Sequence, residues 1–208
     1  MNINSVAIMQ PYFYPYLNYY NLFKFSDLVL ILDDVQFPRR GWVHRNKLDL
    51  INAKNKKDWL TLPIAYCKRE SLINEIKFNN NSFSEFEKRS VKFNFFYKKI
   101  LNYPDLKKTI FNFELNPVNY LIKNLECSCK LLRFKFKIKM ASDIPGHSEL
   151  RNEDKIIYLV KKLSAKYYYN LPGGEKIYNK ENFEKNDIKL IFLNNYTGNY
   201  NSFLDNLD

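Results

Sequence analysis

The sequence predicts an α/β protein with a Rossmann-like, mostly parallel sheet that is flanked by helices. Residues 6–9 and 28–32 are continuous apolar runs without polar alternation, which is typical of strands covered on both faces of a parallel sheet. Strand and helix patterns alternate near both ends of the chain, whereas the middle third has a helical pattern. We therefore predict a single domain over residues 1–208, with a helical insertion or subdomain over residues 83–133.

The elements of the first half are predicted from apolar runs and from the positions of prolines. A strand at 6–9, a helix at 17–25 and a strand at 28–32 form a compact β-loop-α-β unit. Residues 59–64 are interpreted as a third short strand, which its proline ends or confines to an edge. The middle is predicted to hold a helix at 84–101 and a longer one from Pro117, whose missing amide is harmless in a first turn.

The second half returns to a regular alternation of elements. Residues 136–140 alternate like a strand, and a helix opens at Asn152 or Glu153 with Ile156, Val160 and Leu163 on one face. A strand at 165–170, a turn at 171–174, a helix that ends within 182–186 and a final strand at 188–193 complete the prediction.

The chain is basic, with 33 Lys and Arg against 22 Asp and Glu and a formal net charge of +11. Such a charge suggests an anionic partner, for which nucleic acid, acidic lipid, an acidic protein and a phosphorylated metabolite all qualify, and the alternative interpretation is a solvated basic surface. Nucleic acid is the least favoured of these because the sequence has no named recognition motif. Hydrophobic residues make up 46% of the chain and aromatic residues 17%, which indicates a folded globule.

Cysteine spacing and apolar runs exclude several classes of protein. Cys67, Cys127 and Cys129 give neither an even disulfide framework nor the spacing of a zinc site, so we predict no metal. The first residues lack a basic and apolar signal segment, and no run of about 18 apolar residues occurs. We expect a cytoplasmic protein without a membrane span, and the sequence leaves its oligomeric state open.

The stretch QPYFYPY at residues 10–16 is the most informative segment of the chain. Its two prolines fix φ and withhold amide donors, so neither a regular helix nor a central strand runs through it. It lies where the first strand leads into the first helix, which is the ligand-binding end of an open α/β sheet. Gln10, Tyr12 and Tyr14 are therefore candidate substrate-binding residues, suited to grip and orientation.

Two carboxylates, Asp33 and Asp34, directly follow the second predicted strand. Both are expected to reach the carboxyl edge of the sheet, where an acid can bind sugar hydroxyls, hold magnesium or take a proton from an attacking amine. The alternative is a turn-forming or helix-capping role. We take both residues as candidate catalytic groups.

The segment at 33–46 is too polar for a core and is rich in special side chains, so we predict a functional loop there. Arg40 and Arg45 can pair with a pyrophosphate in bidentate geometry, and Trp42 can stack on a base or sugar. His44, one of only two histidines, supplies a titratable ring and is a further candidate catalytic residue. A solvated basic loop is the alternative interpretation.

The turn LPGG at residues 171–174 follows a predicted buried strand and precedes a helix. The amides of Gly173 and Gly174 could cradle a phosphate there, so both are candidate substrate-binding residues. The turn lacks the GxGxxG spacing and the Lys-Ser/Thr of a P-loop, so an ordinary tight turn is the alternative. Signatures of serine hydrolases, zinc proteases and P-loop ATPases are absent from the sequence.

Three blocks of this sequence closely resemble the WbqC-like family in order and spacing. They are VAIMQPYFYPY at 6–16, DDVQF at 33–37 and RGWVHRN at 40–46. The similarity resumes at 59–63 and again from 142 through 193, so it covers most of the chain and is weakest in the helical middle.

The resemblance implies a role in bacterial O-antigen and other surface-polysaccharide biosynthesis. It implies a transferase that modifies a nucleotide-linked amino sugar by N-acylation or N-aminoacylation. The pattern's own residues would line the site, namely Gln10, Pro11, Tyr12, Pro15, Asp33, Asp34, Gln36, Arg40, Trp42, Arg45 and Asn46.

On this hypothesis Arg40 and Arg45 hold the pyrophosphate, and Asp34 or His44 takes the proton from the attacking amine. No cofactor is firmly predicted. The acyl donor is a thioester on coenzyme A or on an acidic acyl carrier protein, or an activated amino acid, and the charge of +11 suits all three.

Two other hypotheses use the same residues. One is an ATP-dependent ligase or nucleotidyltransferase of the same pathway, because a strand followed by a Pro-rich loop and a later Gly turn also suits a nucleotide-binding α/β fold. The other is a non-catalytic nucleotide-sugar binding or scaffold protein that passes intermediates to a neighbouring enzyme.

Overall fold

The computed structural model describes residues 3–53 and 55–208, and the chain divides into two compact units. Unit 1 comprises Met1–Gln10, Asn18–Asp33 and Phe134–Gly198. Unit 2 comprises Pro11–Leu17, Asp34–Arg133 and Asn199–Asp208. The segment predicted as a helical insertion, 83–133, lies within unit 2, which also includes most of the aromatic loop and the last residues of the chain.

The secondary structure alternates in both halves. In chain order the strands are β1 (Ser5–Met9), β2 (Leu28–Ile31), β3 (Arg45–Asp49), β4 (Lys57–Thr61), β5 (Ile138–Met140), β6 (Tyr167–Asn170) and β7 (Lys189–Phe192). The α-helices are α1 (Leu17–Phe25), α2 (Ser82–Ser90), α3 (Pro104–Ile110), α4 (Pro117–Leu131), α5 (Asn152–Lys162) and α6 (Lys180–Glu184). Short turns of 3₁₀ or π geometry lie at Ile73–Glu75, Phe95–Lys99, Ile100–Asn102, Ala141–Asp143, Pro172–Lys176 and Phe203–Asn206.

Unit 1 is built on a five-stranded parallel sheet with the strand order β5-β2-β1-β6-β7. The chain starts at the central strand, β1, and adds strands on either side of it. Val6 pairs with Leu28 of β2 on one side and with Tyr168 of β6 on the other. The predicted Rossmann-like, parallel α/β fold is confirmed.

The strands β1 and β2 of unit 1 are buried because they are apolar on both faces. Val6, Ala7, Leu30 and Ile31 are all 0% exposed, as the continuous apolar runs predict. Burying one such aliphatic side chain contributes about 1.5–3 kcal/mol. The same core includes Ile8, Leu28, Ala141, Ile144, Ile156, Ile157, Leu159, Val160, Leu163, Ala165, Tyr168, Phe183, Ile188 and Leu190.

Helix α5 shows how local sequence signals define an element of unit 1. Glu153 and Asp154 lie in its first turn and Lys161 and Lys162 in its last turn, where they complement the helix dipole. The helix opens at Asn152, as the sequence predicts. Its buried face packs into the core described above.

Unit 2 contains an antiparallel hairpin of β3 and β4, in which Lys47 pairs with Trp59. The strand predicted at 59–64 is therefore β4, and it pairs outside the parallel sheet. Its partner β3 begins at Arg45, inside the segment that we expected to be a loop. The hairpin buries one face only, through Leu48 and Leu60, so its strands alternate instead of being apolar throughout.

The predicted helix at 84–101 is shorter in the structure. Helix α2 ends at Ser90, and the backbone then pairs with the segment after β3. Phe93 bridges Leu50, and the Ile51 amide donates to the Lys92 carbonyl oxygen at 2.9 Å. This tertiary pairing uses backbone groups that a continuous helix would need.

Helix α4 is confirmed with the predicted proline start. The side chain of Asn116 accepts a hydrogen bond from the Asn119 amide at 2.8 Å, which caps the helix, and Pro117 occupies its first position. Its residue Tyr120 is fully buried and belongs to an aromatic cluster of unit 2. The rings of that cluster are Phe13, Phe78, Phe86, Phe96, Phe111, Phe113 and Tyr120.

Helix length also bears on membrane association. The longest α-helix among the described residues is α4, with 15 residues. No helix in residues 3–53 and 55–208 is both long and apolar enough to cross a bilayer.

Candidate functional site

Four predicted site residues belong to unit 1, and all follow the carboxyl ends of its parallel strands. Gln10 follows β1, Asp33 follows β2, and Gly173 and Gly174 follow β6. The strand order reverses between β1 and β6, and ligands of open α/β sheets bind at such a switch point. Gln10 and the glycine turn flank that point.

Both oxygens of the Asp33 carboxylate accept hydrogen bonds from another residue of unit 1. Asp33 is 2% exposed, its Oδ1 accepts the amide of Ser142 at 3.0 Å, and its Oδ2 accepts the Ser142 hydroxyl at 2.7 Å. Ser142 lies in the 3₁₀ turn that follows β5. Asp33 thus ties the end of β2 to the end of the neighbouring strand β5.

The two glycines after β6 lie inside a short 3₁₀ turn, Pro172–Lys176. The amide of Gly174 donates to the carbonyl oxygen of Leu171 at 2.9 Å. A Cβ on Gly174 would lie 2.7 Å from Nδ2 of Asn170, so a larger residue here would displace the Asn170 side chain. Gly173 is exposed and faces open space.

The aromatic loop of unit 2 turns at Tyr14, which has a φ of 45°. A bulky residue in this left-handed region is strained and persists only where its surroundings hold it. The Tyr14 carbonyl oxygen accepts Nδ2 of Asn46 at 2.6 Å and the hydroxyl of Ser202 at 2.9 Å. The Tyr14 hydroxyl donates to Oδ1 of Asn124. The sequence identified the loop but did not show which bonds hold it.

Asn46 is the main anchor of this loop. It is 3% exposed, and besides Tyr14 its Nδ2 reaches the Phe13 carbonyl oxygen at 3.2 Å. Its Oδ1 accepts the amide of Lys47 at 2.8 Å. All of these bonds are internal, so the side chain of Asn46 connects the aromatic loop to the start of β3.

Arg45 organises the turn that precedes β3. Its Nε donates to the Gly41 carbonyl oxygen at 3.2 Å, and its Nη2 donates to that of Arg40. The Gly41 amide donates to the Pro38 carbonyl oxygen at 2.8 Å, and a Cβ at Gly41 would lie 2.6 Å from the Pro38 ring. Only glycine fits this turn, and Arg45 holds it closed.

His44 is buried, at 7% exposure, with its ring edge-on to Phe37 at a centroid distance of 4.8 Å. Burial, with a smaller contribution from the positive charge of Arg45, lowers the pKa of His44 from 6.5 to about 4. The imidazole is therefore neutral near pH 7. Its Nδ1 is buried, and none of the described residues hydrogen-bonds to it. Buried polar atoms are nearly always satisfied, and an ordered water or a ligand group is the kind of partner that satisfies such an atom.

Three rings of unit 2 form a contiguous set, Tyr12, Trp42 and Trp59, which we call the ring row. The Tyr12 and Trp42 centroids are 5.7 Å apart, and those of Trp42 and Trp59 are 4.9 Å apart. Burial raises the pKa of Tyr12 above its usual value, with a further contribution from Tyr16. Trp59 was not among the predicted site residues because its place beside Trp42 depends on the pairing of β3 with β4.

The remaining predicted residues of unit 2 differ in exposure. Asp34 is half-buried, whereas Gln36 and Arg40 are exposed. The Gln36 side chain donates from Nε2 to the Arg69 carbonyl oxygen at 2.8 Å. Arg40 carries its charge on the outer side of the turn that Arg45 holds, where an anion can reach it.

Within the described part of the chain, no group of three or more His, Cys, Asp and Glu residues is arranged to hold a metal ion. Cys127 and Cys129 are buried, and burial raises the pKa of both thiols, that of Cys129 to about 12. Neither thiol is ionised near neutral pH, which removes the usual basis of a cysteine nucleophile.

Comparison with known families accounts for this set of motifs. The model of the WbqC-like protein family matches residues 10–207, which is nearly the whole chain. The chain belongs to the WbqC-like protein family. This membership confirms the family that the motif blocks indicated.

One similar curated protein is the uncharacterized protein Rv1507c of Mycobacterium tuberculosis, which is 29% identical over 94 residues. The match covers 45% of this WbqC-like chain and 39% of the relative, so the chain spans about two fifths of that protein's length. No solved structure matches the chain significantly.

The structure distributes the WbqC-like motif residues over both units. Unit 1 has Gln10, Asp33, Gly173 and Gly174, and all other predicted site residues belong to unit 2. Within unit 2 the aromatic loop, the turn at 38–41 and the β3–β4 hairpin are joined by direct hydrogen bonds and ring contacts. Unit 2 therefore brings together most of the predicted set.

Proposed function

We propose that this WbqC-like protein is a transferase that N-acylates or N-aminoacylates an amino sugar on a nucleoside diphosphate, in bacterial surface-polysaccharide biosynthesis. The observation that carries this proposal is His44, a buried neutral imidazole whose Nδ1 has no partner among the described residues. It lies in a segment with cationic and aromatic side chains suited to a phosphorylated ligand. Family membership supports a biosynthetic role.

Charge distribution supports an anionic ligand of unit 2. Unit 2 has 20 Lys and Arg against 12 Asp and Glu, a net charge of +8 out of the +11 of the whole chain. A positive field of this kind raises the local concentration of anionic substrates and their rate of association. A nucleoside diphosphate and a coenzyme A thioester are both anions.

The proposed reaction is acyl transfer to an amine. The sugar amino nitrogen attacks the carbonyl carbon of an acyl thioester, a C–N bond forms, the C–S bond breaks, and the thiolate leaves. The attacking nitrogen must lose a proton, which Asp34 accepts while Nδ1 of His44 binds the substrate. General base catalysis of this type contributes about 10² to 10⁴-fold, and positioning contributes further.

The other predicted residues of unit 2 act in binding and positioning. Arg40 and Nη1 of Arg45 face the pyrophosphate, because the other Arg45 nitrogens hold the turn. Trp42 packs on the nucleotide part of the ligand, with Tyr12 beside it. Tyr14 and Asn46 act as positioning residues, since their polar groups hold the loop. Gln36 remains a proposed substrate contact.

In unit 1 we assign Asp33 a positioning role, because both of its oxygens are bound by Ser142. Gln10, Gly173 and Gly174 stay proposed substrate-binding residues at the switch point of the sheet. The donor is coenzyme A thioester, acyl carrier protein or an activated amino acid, and this choice is left to experiment.

A second candidate is a non-catalytic nucleotide-sugar binding protein. It is favoured by the low exposure of two predicted catalytic residues, since Asp33 is 2% exposed and His44 is 7% exposed. Such withdrawn groups suit ligand recognition as well as catalysis. The two candidates differ in whether the protein turns an acceptor and a donor into a product.

The test combines mass spectrometry with a panel of nucleotide-linked amino sugars and acyl donors of the three classes. We expect one product whose mass exceeds that of the acceptor by the acyl group. Asp34→Asn should lower kcat by about 10² to 10⁴-fold. Its dissociation constant for the nucleotide sugar should change little, since the carboxylate acts on the attacking nitrogen.

Asp105→Asn is the matched control, because the Asp105 side chain is 71% exposed and forms an ion pair with exposed Lys130 at 3.1 Å. This variant should retain wild-type turnover. If the protein binds ligands of the panel but forms no product with any of them, the transferase hypothesis is rejected and the binding-protein hypothesis is retained. Full turnover in Asp34→Asn would reject the assignment of the base.

A further inference from the structure

The ring row spans three segments of unit 2, with Trp59 on the outer face of the β3–β4 hairpin, Trp42 in the turn before it and Tyr12 in the aromatic loop. Trp42 is 45% exposed, and Trp59 and Tyr12 are half-buried. Successive residues of a strand point to opposite faces, so Trp59 lies on the face opposite to buried Leu60. The row is a partly solvent-accessible aromatic surface of unit 2.

Cations border this row and hold its rings. The Arg45 guanidinium carbon lies 4.1 Å from the Trp59 ring centroid, and Nζ of Lys47 lies 5.3 Å from the same centroid. Cation–π contacts at exposed sites contribute about 0.5–1 kcal/mol each. Because Arg45 is itself fixed by bonds to the turn at 40–41, the rings are held in place before a ligand arrives.

The polar groups beside Trp59 discriminate between ligand moieties. The residues of the same face of the hairpin are Arg45, Lys47, Asp49, Lys57 and Thr61. Its one carboxylate, Asp49, forms an ion pair with Lys57 at 2.7 Å. The face therefore offers cations and the hydroxyl of Thr61, whereas its carboxylate, the strongest acceptor for sugar hydroxyls, is engaged by Lys57.

A pyranose ring is normally held by acceptors for its hydroxyl groups as well as by aromatic stacking. A nucleotide instead needs a π surface for its base and cations for its phosphates. The ring row offers the π surface, and Arg45 and Lys47 offer the cations. A purely structural role would explain buried rings, but Trp42 leaves nearly half of its surface in solvent.

We propose that the ring row stacks the nucleobase of a nucleoside diphosphate, with Trp59 as an unpredicted platform residue and Lys47 as a phosphate contact. This inference rests on the proposed function for the nucleotide class of the ligand. It adds which moiety the row binds and which residues bind it. The sugar end of the substrate is then directed away from the row.

Intrinsic fluorescence reports directly on this site, because Trp42 and Trp59 are the only tryptophans of the sequence. The full chain is titrated with UDP, dTDP, GDP and ADP, and with N-acetylglucosamine 1-phosphate as a probe that has phosphate and sugar but no base. We expect at least one nucleoside diphosphate to quench the fluorescence at saturation. The sugar phosphate should not quench it.

Variants are compared by isothermal titration calorimetry, since they lose part of the fluorescence signal. Trp42→Ala and Trp59→Ala should each raise the dissociation constant of the quenching nucleotide roughly 5- to 150-fold. Trp59→Phe should restore most of the affinity, which separates stacking from loss of fold. Tyr97→Ala is the control, because Tyr97 is an exposed aromatic residue of unit 2, at 66%, and should leave the affinity unchanged.

Equal quenching by the sugar phosphate would contradict the assignment of the row to the nucleobase. Unchanged nucleotide affinity in both tryptophan variants would show that the row does not bind the nucleotide. Failure of all four nucleotides to bind would also reject the proposed role of the row. Binding through the row without product formation would reject only the transferase. Product formation that is independent of the tryptophans would reject only the row.

Discussion

His44 illustrates how a single residue can make stability depend on pH. Its native pKa of about 4 lies below the ordinary value of 6.5 because burial disfavours the charged ring. Between these values the unfolded chain binds a proton that the native protein does not bind. The free energy of unfolding therefore falls as the pH decreases from about 6.5 to 4, by on the order of 3 kcal/mol from this residue.

We predict that urea unfolding of the wild type loses this stability on acidification, while His44→Gln loses correspondingly less. The measurement is the difference in unfolding free energy between the two proteins at a series of pH values from about 4 to 8. Above pH 6.5 the difference should be constant. A difference that stays constant over the whole range would show that the pKa of His44 is not lowered in the folded state.

At the scale of elements, residues 202–205, which we call the strap, connect the hairpin to the aromatic loop of unit 2. Asp205 accepts the Asp49 amide at 3.1 Å and Nζ of Lys57 at 2.6 Å. In the same segment Ser202 binds the Tyr14 carbonyl oxygen, and the Phe203 ring stacks on Tyr14 with an interplanar angle of 9°. The strap therefore helps to hold the strained Tyr14 backbone.

The ion pair in this strap is partly buried, with side-chain exposures of 26% for Lys57 and 2% for Asp205. Burial raises the pKa of Asp205, although the bonds from Lys57 and Asp49 oppose the shift. Burial would lower the pKa of Lys57, yet its bonds to Asp205 and Asp49 raise it. Desolvation thus offsets part of the Coulomb attraction, and hydrogen bonding carries the net stabilisation.

We predict that Asp205→Ala lowers the free energy of unfolding by about 1–3 kcal/mol, because it leaves the Asp49 amide and Lys57 with fewer partners. Glu126→Ala is the control, since Glu126 forms an exposed ion pair with Lys123 on α4. Its effect should stay within about 0.5 kcal/mol. Denaturant unfolding measures both variants, and equal effects would show that the strap contributes no more than a surface pair.

At the scale of the whole molecule, the net charge of +11 is unevenly shared, with +8 in unit 2. Salt weakens interactions between exposed charges, because the Debye length falls from about 10 Å at 0.1 M to about 3 Å at 1 M ionic strength. Ring stacking, by contrast, involves no net charge. The two contributions to ligand binding can therefore be separated by salt.

We predict that the dissociation constant of the nucleoside diphosphate bound by unit 2 rises several-fold between about 0.1 M and 1 M sodium chloride. The uncharged nucleoside with the same base serves as the control, and its weaker affinity should vary little. Calorimetry at each salt concentration measures both. A diphosphate affinity that does not respond to salt would assign binding to stacking alone.

The predicted elements that proved right depend on local signals. The apolar runs of β1 and β2 and the proline start of α4 each identify an element without reference to distant residues. Strand β3 was missed because Arg45-Asn46-Lys47 is polar, and its extended form comes from pairing with β4. The early end of α2 likewise follows from the bridge between Phe93 and Leu50.

The sequence by itself determined the α/β class, the family and the segments that contain the candidate site, because apolar runs and motif spacing are properties of the chain alone. Tertiary structure decided which polar groups are engaged. Asp33 is bound by Ser142, 109 residues away, and Tyr14 by Ser202, 188 residues away. Such partners meet only in the folded chain. Folding also buried His44, which makes its ring neutral, and it left Arg40 and Trp42 exposed at the surface.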